Sequence, residues 1–302
     1  MFTLKDYPNV IFLNFRDKNE VKKFVYGDGT HNPEPLYKYA QWNYAKKSLA
    51  ERYLWMSNPS KWNDPFEDYF LKAQYIDTKG IVYDFPFKNN VFCNCLTPDH
   101  NSEAHWIAYA KKKEGVSLRI YIKELVERLN NFGLAHPEYK IYIGRVSYLN
   151  NSQIQSKKII DIPLLEESLG HTVIRDINKP DFCANLLLLK RNSFKHDNEI
   201  RLIFIRHDSM FIDELDGMKF QYNYDDKGII WKNYDNEKLI SRVFTSPFYS
   251  MVIRDKIRHE LEKKKYGFNR YDVLKKSGNV SKYSRIQRSR LYDKIKPHKI
   301  YI

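Results

Sequence analysis

The order of strand-like and helix-like segments is the feature that most constrains the fold of this chain. Residues 36–39, 91–96 and 116–122 have the short aromatic or alternating patterns that are typical of strands. Residues 43–52 and 102–113 repeat apolar side chains at helical spacing. Helices separate the strands singly or in pairs, without the regular strand–helix–strand alternation of a parallel sheet. This order predicts an α+β fold with a mixed or antiparallel central sheet and helices inserted between its strands.

The same patterns predict further elements. Strands are expected at 53–56, 141–149, 200–205, 239–244 and 271–275, and helices at 124–132, 164–174, 182–191 and 250–264. We expect Ser102 to cap the helix at 102–113 and Gly115 to end it. Four residues of that helix are predicted to face the core: Trp106, Ile107, Tyr109 and Ala110.

Positive charge is concentrated at the C-terminal end. The formal net charge is +14, and residues 251–302 hold sixteen Lys or Arg against five Asp or Glu, which gives this stretch +11. Basic side chains interleaved with tyrosines suit phosphates and bases, so a nucleic acid is the predicted partner. The alternative is a solvated basic tail. A boundary near Ser277 predicts a single α+β domain, residues 1–277, and a basic C-terminal extension, residues 278–302.

Cysteine content and hydropathy narrow the class of protein. Three cysteines are too few for a disulfide framework in 302 residues and predict a reducing, cytoplasmic compartment. Cys93 and Cys95 form a C-x-C pair, but no second close pair completes a zinc site, and we predict no metal. Neither a signal-peptide core nor a run of about 20 apolar residues is present, so no membrane partner is expected.

A polar loop is predicted after the strand at 53–56. Two prolines fix the backbone of residues 57–68, and Asn63 and Asp64 are suited to bonding their own backbone. Rigid loops after strands often carry ligand-contacting residues, although a plain ordered turn is the alternative. We predict that this loop lines the main pocket. Its predicted cofactor-binding residues are Ser57, Asn58, Trp62, Asn63, Asp64, Phe66 and Glu67.

The helix at 102–113 supplies a second polar segment next to aromatic residues. His105 titrates near neutrality and is suited to act as a base or ligand, whereas a solvated helix face is the alternative. Trp106 and Tyr109 are predicted on one face of the helix and are expected to contact the cofactor.

A third segment leads from a polar turn into the strand at 200–205. Strand alternation points Glu199 and Arg201 in the same direction, so the guanidinium is expected to keep the carboxylate ionised. A salt bridge without function is the alternative. We predict Glu199 as the functional carboxylate of a catalytic set, with Arg201 and Asp197 as its supports.

These segments together resemble a bacterial family, the domain of unknown function DUF2971. The resemblance covers residues 36–277 and rests on four motifs, at 37–39, 57–67, 106–115 and 190–202. Three positions depart from the family pattern, which has Phe, Trp and Glu in place of Trp62, Phe194 and Asp197. The resemblance implies the fold and the site residues rather than a reaction, and it suggests a context in prophage and phage-defence loci.

A more distant resemblance is to ADP-ribosyltransferases of the diphtheria-toxin and cholera-toxin kind. Their three motifs occur here in order, as Tyr37-Lys38-Tyr39, Trp55-Met56-Ser57 and Asp197-Asn198-Glu199, although Lys or Tyr replaces the usual first Arg or His. The resemblance implies an ADP-ribosyltransferase-like core that binds NAD, with Tyr37, Lys38 and Tyr39 in the cofactor site. Glu199 would stabilise the oxocarbenium-like centre formed when nicotinamide leaves.

The preferred interpretation of the sequence is a cytoplasmic effector of the toxin or abortive-infection type in antiviral defence. Its expected activity is that of an NAD-dependent ADP-ribosyltransferase or NAD glycohydrolase, acting on nucleic acid or triggered by it. One alternative is a non-catalytic nucleic-acid-binding or sensing protein. Another is a metal-dependent nuclease in which Asp64, Glu67 and Glu199 hold Mg²⁺.

Overall fold

The computed structural model describes most of the chain and forms two compact units. The first unit comprises Met1–Glu34, Leu54–Leu96 and Ile122–Lys232, and the second comprises Pro35–Tyr53, Thr97–Tyr121 and Asn233–Ile302. The described residues are 1–62, 71, 74–76, 82–84, 87–110, 115–150, 179–207, 228–232, 239–261, 272–276, 279–283 and 286–288. No helix in these ranges is long and apolar enough to cross a membrane.

Strands and helices in the described ranges mix in the manner of an α+β fold. The strands are β1 (Phe2–Leu4), β2 (Tyr7–Leu13), β3 (Leu36–Gln41), β4 (Tyr53–Ser57), β5 (Gln74–Ile76), β6 (Val82–Asp84), β7 (Val91–Leu96), β8 (Gly115–Ile120), β9 (Tyr139–Arg145), β10 (Ser147–Leu149), β11 (Leu189–Arg191), β12 (Ile200–Arg206), β13 (Gly228–Lys232), β14 (Ile240–Thr245), β15 (Asp272–Lys276), β16 (Asn279–Tyr283) and β17 (Ile286–Arg288). The helices are α1 (Lys18–Tyr26), α2 (Trp42–Glu51), α3 (Glu103–Ala108), α4 (Ile122–Ala135), α5 (Pro180–Leu186) and α6 (Met251–Leu261). Short 3₁₀ turns occupy Pro59–Lys61 and Asn192–Asp197.

A seven-stranded mixed sheet forms the centre of the first unit. Its strand order is β1-β2-β9-β12-β7-β4-β13. β2 and β9 run parallel, whereas β12 is antiparallel to both β9 and β7. β12 is therefore a central strand whose backbone is paired on both sides, and residues at its start are mounted on a strand that its two neighbours hold in place.

The two faces of this sheet pack against different elements. On one face, Phe132 of α4 stacks on Phe204 of β12 with ring centroids 5.0 Å apart. On the other face, the segment from α5 to β11 packs against the sheet around Cys93, Tyr142 and Ile203. Gly144 allows this approach, because a Cβ atom there would lie 2.4 Å from Cδ1 of Leu188.

The second unit is built on a four-stranded sheet with the order β17-β14-β8-β3. β14 runs parallel to β17 and antiparallel to β8, which is antiparallel to β3. α2 contacts β3 and β8, and α6 contacts β17. An ion pair between Lys46 and Glu260 joins these two helices. An aromatic cluster belongs to the same unit: Tyr37, Tyr39, Trp106, Phe244 and Phe248.

Most of the predicted elements are confirmed. The predicted strands correspond to β3, β4, β7, β12, β14 and β15, and the helices at 43–52, 124–132 and 250–264 correspond to α2, α4 and α6. Residues 164–174 lie outside the described residues, as do the last three of the predicted helix at 250–264. β1, β2 and α1 were not predicted, although Asp17 caps α1 by accepting hydrogen bonds from the backbone of Asn19 and Glu20.

The region around Gly115 differs from its prediction. Ser102 caps α3 as expected, but α3 ends at Ala108 and Gly115 begins β8. A Cβ at Gly115 would lie 2.1 Å from Cβ of Ala110, so the glycine is required by close packing rather than by a helix end. Trp106 and Ala110 are buried as predicted, whereas Ile107 and Tyr109 are exposed by 50% and 41%.

Two other segments are divided differently from the prediction. Residues 182–191 form the end of α5 and then β11 rather than one helix, because the chain leaves helical geometry at Leu187. Residues 141–149 form β9 and β10, which join different sheets. The domain of residues 1–277 stays a prediction. It contains parts of both compact units, and residues 279–288 of the predicted extension contain β16 and β17.

Candidate functional site

Four buried charged side chains form a cluster at the start of β12 in the first unit. We call it the Glu199 cluster; its members Lys190, Asp197, Glu199 and Arg201 are at most 5% exposed. Nζ of Lys190 donates to Oδ2 of Asp197 at 2.9 Å and to Oε2 of Glu199 at 3.0 Å. Nε of Arg201 donates to Oε1 of Glu199 at 2.6 Å. The four formal charges cancel, which offsets much of the free-energy cost of removing them from water.

The backbone leading into β12 brings the two carboxylates together. The 3₁₀ turn Asn192–Asp197 ends at Asn198, whose φ of 42° lies in the left-handed region that asparagine tolerates better than most residues. Lys190 comes from the preceding strand, β11, which pairs in parallel with β10. The N–H of Glu199 donates to the hydroxyl of Tyr148 on β10 at 2.9 Å. Glu199 is therefore held through both its side chain and its backbone.

Glu199 is an ionised carboxylate at neutral pH. Burial raises its pKa, but the charges of Arg201 and Lys190, with side-chain hydrogen bonds from Arg201 and Cys95, outweigh burial and hold the pKa well below its usual range. Cys95 is the cross-strand partner of Arg201 on β7. A carboxylate in this state is suited to stabilising positive charge and is unsuited to donating a proton.

Arg201 lies beneath an aromatic ring from the predicted polar loop. Its guanidinium carbon is 4.7 Å from the ring centroid of Trp62, within the range of a cation–π contact. Nε1 of Trp62 donates to Oγ of Ser57 at 2.8 Å, which fixes the ring to the end of β4. Nη1 of Arg201 also donates to the carbonyl of Leu187 at 2.5 Å, which fixes the position of the guanidinium.

The start of the loop is ordered by Asn58. Its side chain is buried, accepts from the N–H of Ser60 at 2.9 Å and donates to the carbonyl of Lys88 at 2.9 Å. The same role for Asn63 and Asp64 stays a prediction. The structure thus brings Ser57 and Trp62 to the Glu199 cluster. The remaining predicted loop residues lie outside the described residues: Asn63, Asp64, Phe66 and Glu67.

The predicted cofactor residues of the second unit form a packed aromatic group. The ring of Tyr39 meets Trp106 edge-on at 4.9 Å and stacks on His105 at 5.0 Å. The Tyr39 hydroxyl donates to the carbonyl of Asp99, and burial raises the pKa of Tyr39 to about 12. His105 is buried, so neither a solvated helix face nor an open base describes it. Tyr109 is partly exposed beside His105.

The predicted site residues are therefore divided between the two units. Glu199, Arg201, Asp197, Ser57, Asn58 and Trp62 belong to the first unit, and Tyr37, Lys38, Tyr39, Trp106 and Tyr109 belong to the second. β4 and β12 lie in the seven-stranded sheet with β7 between them, whereas β3 lies in the four-stranded sheet. The three motifs are thus distributed over two sheets, and the fold does not show the ADP-ribosyltransferase resemblance.

Three residues near Glu199 were missing from the predicted site. Lys190 begins the motif at 190–202 of the family resemblance, and its place in that motif was the signal that could have identified it. Tyr148 contacts Glu199 through the pairing of β10 with β11, which no local pattern reveals. Cys95 was considered only as half of a C-x-C pair. Asp197 contacts Lys190 at 2.9 Å, so it supports Glu199 through that lysine.

In the described part of the chain, no group of three or more carboxylates, cysteines and histidines is arranged to hold a metal ion. Asp64 and Glu67 lie outside this part, so their convergence with Glu199 stays a prediction.

The comparison with known families gives one match. Residues 105–202 match the model described as Protein of unknown function (DUF2971). The matched range begins within α3, includes Lys190 and reaches the start of β12, but it excludes β3 and the loop after β4. No curated protein and no solved structure matches the chain. Residues 105–202 are therefore similar to the DUF2971 family, in agreement with the family resemblance of the sequence motifs.

Proposed function

We propose that the first unit is an NAD-consuming enzyme, with Glu199 as the carboxylate that stabilises the reacting ribose. The activity is ADP-ribosyl transfer or NAD hydrolysis in a toxin-type effector of phage defence. The observation that carries the proposal is the ionised, rigidly held carboxylate of Glu199, mounted at the start of a central strand.

The chemistry requires a fixed negative charge. When the bond between nicotinamide and ribose breaks, its electron pair leaves with nicotinamide and the ribose carbon becomes cationic. Water or a nucleophile of a target then forms the new bond at that carbon and gives up its proton. A preorganised carboxylate lowers the energy of the cationic transition state without having to reorganise.

The pairing of Lys190 makes Glu199 available to such a cation. Lys190 bridges Asp197 and Glu199 at nearly equal distances, 2.9 and 3.0 Å. If a cationic substrate engages Oε2 of Glu199, Lys190 retains its bond to Asp197 and is not left as a lone buried charge. Arg201 stays on Oε1 and keeps the carboxylate oriented. These contacts give the three residues separate roles: Glu199 stabilises, Arg201 orients and Asp197 holds Lys190.

Trp62 is suited to form one wall beside this centre. Its ring covers the guanidinium of Arg201 and is tethered to Ser57. An aromatic wall next to a carboxylate favours a planar cation such as the nicotinamide ring of NAD⁺, which is positively charged while it is bonded to ribose. Ser57, Asn58 and the loop that follows are proposed to position the dinucleotide.

The test is release of free nicotinamide from NAD by the purified protein. We expect the wild-type protein to release nicotinamide and Glu199→Gln to reduce the rate by a factor on the order of a hundred or more. Glu124→Gln is the matched control, because Glu124 lies on α4 and pairs only loosely with Arg128 at 3.7 Å. That control should retain the wild-type rate.

Two results would contradict the proposal. One is a folded Glu199→Gln protein that releases nicotinamide at the wild-type rate. The other is a wild-type protein that releases none, alone or with nucleic acid added as trigger or acceptor.

A second candidate function, nucleic-acid binding, is supported by the positive charge of residues 251–302. The described helix α6 exposes Lys256 and Arg258, and the stretch carries +11 of the net +14. Such contacts would be made mainly to phosphates, so affinity should fall steeply as salt rises.

Substitution within α6 tests this function better than removal of the C-terminal residues, because β17 is a strand of the four-stranded sheet. The double variant Lys256→Gln, Arg258→Gln should bind more weakly, with a salt slope smaller by about 1 for each phosphate that a substituted side chain had neutralised. Unchanged affinity and slope would remove α6 from the interface.

The Mg²⁺-nuclease alternative is less well supported. Both oxygens of Glu199 accept hydrogen bonds from cationic side chains, and a divalent ion would have to displace at least one of them. Nuclease activity that depends on Mg²⁺ and is lost in Glu199→Gln would favour this alternative over the NAD reaction.

A further inference from the structure

The strand register of the second unit brings two arginines side by side. Tyr37 on β3 is the Cα partner of Arg119 on β8, and Arg119 is the partner of Arg242 on β14. Directly paired residues point to the same face of a sheet. The next row on that face holds Tyr39, Ser117 and Phe244. Two guanidinium groups therefore share a sheet face with aromatic side chains.

An irregularity in β14 creates this arrangement. The register shifts between Ile240 and Arg242, so that Ser241 is an extra residue relative to β8. Its hydroxyl donates to the carbonyl of Arg119 at 3.3 Å. With a regular register, Arg242 would pair with Leu118 and point to the opposite face. Bulges of this kind re-aim side chains and are common next to functional sites.

Arg119 lies directly opposite Arg242 on the neighbouring strand. Like charges directly opposite each other on neighbouring strands repel. Within the described ranges, Arg119 has no carboxylate partner, and its Nε is buried without a hydrogen-bond partner. Its guanidinium carbon lies 5.8 Å from the ring of Tyr121. A bound anion would satisfy this donor and relieve the repulsion.

An exposed ring lies next to the two arginines. His100 is exposed and stacks on Tyr37 with centroids 4.7 Å apart and planes 20° apart, and its centroid is 4.5 Å from Phe244. Burial, Arg119 and Arg242 lower the pKa of His100, which favours the neutral ring. A neutral ring supported by two buried aromatic side chains is a rigid platform on which a base can stack.

We propose that this face of the second unit binds a nucleotide, with the phosphate between Arg119 and Arg242 and the base stacked on His100. Guanidinium groups match the oxygens of a phosphate in geometry and charge. A simple anion would not use the adjacent ring, and a neutral nucleoside would not satisfy the arginines. The two features side by side therefore specify a phosphate joined to an aromatic base. This site does not depend on the chemistry proposed for Glu199.

The test is calorimetric titration of the full chain with 5′-AMP, adenosine and ribose 5-phosphate. We expect AMP to bind more tightly than either fragment. Arg119→Gln and Arg242→Gln should each weaken AMP binding about tenfold or more. His100→Ala should reduce AMP to the affinity of ribose 5-phosphate and leave ribose 5-phosphate itself unchanged.

Matched controls separate this site from general charge and from the first unit. Lys47→Gln on α2 and Lys140→Gln on β9 each remove an exposed cation, from the second and the first unit respectively, and both should leave AMP affinity unchanged. A pentamer of deoxyadenylate is titrated in parallel. Tighter binding of AMP identifies a free nucleotide as the ligand, whereas tighter binding of the pentamer identifies a nucleotide within a single strand. The proposal is overturned if wild-type protein does not bind AMP, if Arg119→Gln binds it normally, or if Lys47→Gln is impaired as much as Arg119→Gln.

Discussion

The Glu199 cluster in the first unit and the Arg119–Arg242 pair in the second unit hold charge in opposite ways. Lys190 and Arg201 are matched by Asp197 and Glu199, and the three ion pairs among them each join opposite charges. The arginine pair instead places two positive charges on neighbouring strands. The first arrangement pairs each charge with an opposite one, whereas in the second Nε of Arg119 is buried without a hydrogen-bond partner among the described residues.

This difference affects how each region is interpreted. A balanced cluster contributes to the unique structure of the core, so its presence alone does not identify an enzyme. Function there depends on whether a substrate can take the place of Lys190 on Glu199. Two like charges on neighbouring strands do not attract each other, and their register requires an extra residue in β14. A ligand is therefore the simpler reason for the pair.

Removal of Lys190 should give the largest effect on stability. Lys190→Met leaves the carboxylates of Asp197 and Glu199 buried with Arg201 as the remaining cation of the cluster. We expect a loss of about 3–5 kcal/mol in the free energy of unfolding. Chemical denaturation measures it, with Lys140→Met as control, because Lys140 is exposed on β9. A loss no larger than that of the control would show that the ion pairs of Lys190 do not form in solution.

Acid should reduce the stability that the Glu199 cluster provides. The folded-state pKa of Glu199 is depressed, so its stabilising contribution is fully present above its unfolded pKa of about 4.3 and is lost as pH falls toward the folded pKa. Between pH 7 and pH 3.5 the wild-type protein should lose about 1 kcal/mol more than Glu199→Gln. Equal losses, measured by denaturation at both pH values, would mean that Glu199 is not held ionised.

The smallest effect is expected from the arginine pair, and it has the opposite sign. Arg119→Gln removes a like-charge contact and should raise the free energy of unfolding by about 0.2–1 kcal/mol without ligand. Low salt should enlarge the gain, since repulsion is then less screened. A loss of stability in thermal melts would mean that the two arginines do not repel each other in the folded protein.

Local patterns predicted one part of the Glu199 cluster and missed the other. Glu199 and Arg201 are two residues apart on a strand, so alternation alone put them on one face. Lys190 and Tyr148 reach Glu199 through the parallel pairing of β10 and β11, which depends on tertiary folding. The apolar run at 182–191 also fits a helix, and only packing over Gly144 explains why it divides into α5 and β11.

The arginine pair could not be predicted at all. Arg119 and Arg242 are far apart in the sequence, and a register without the shift at Ser241 would have separated them. Tyr37 was predicted as a ligand-binding residue from a motif, whereas the structure places it in a stacked group with His100 and Phe244. Bulges and long-range register follow from pairing energies that short windows of sequence do not contain.

The most direct test of the account is a crystal structure of the Glu199→Gln protein with NAD, since the slowed variant should hold the intact dinucleotide. We predict that the nicotinamide ribose lies within hydrogen-bond distance of residue 199, beside Trp62, while Lys190 stays on Asp197. NAD bound away from residue 199, with Lys190 and Arg201 still in contact with that residue, would contradict the central claim that Glu199 acts on a substrate.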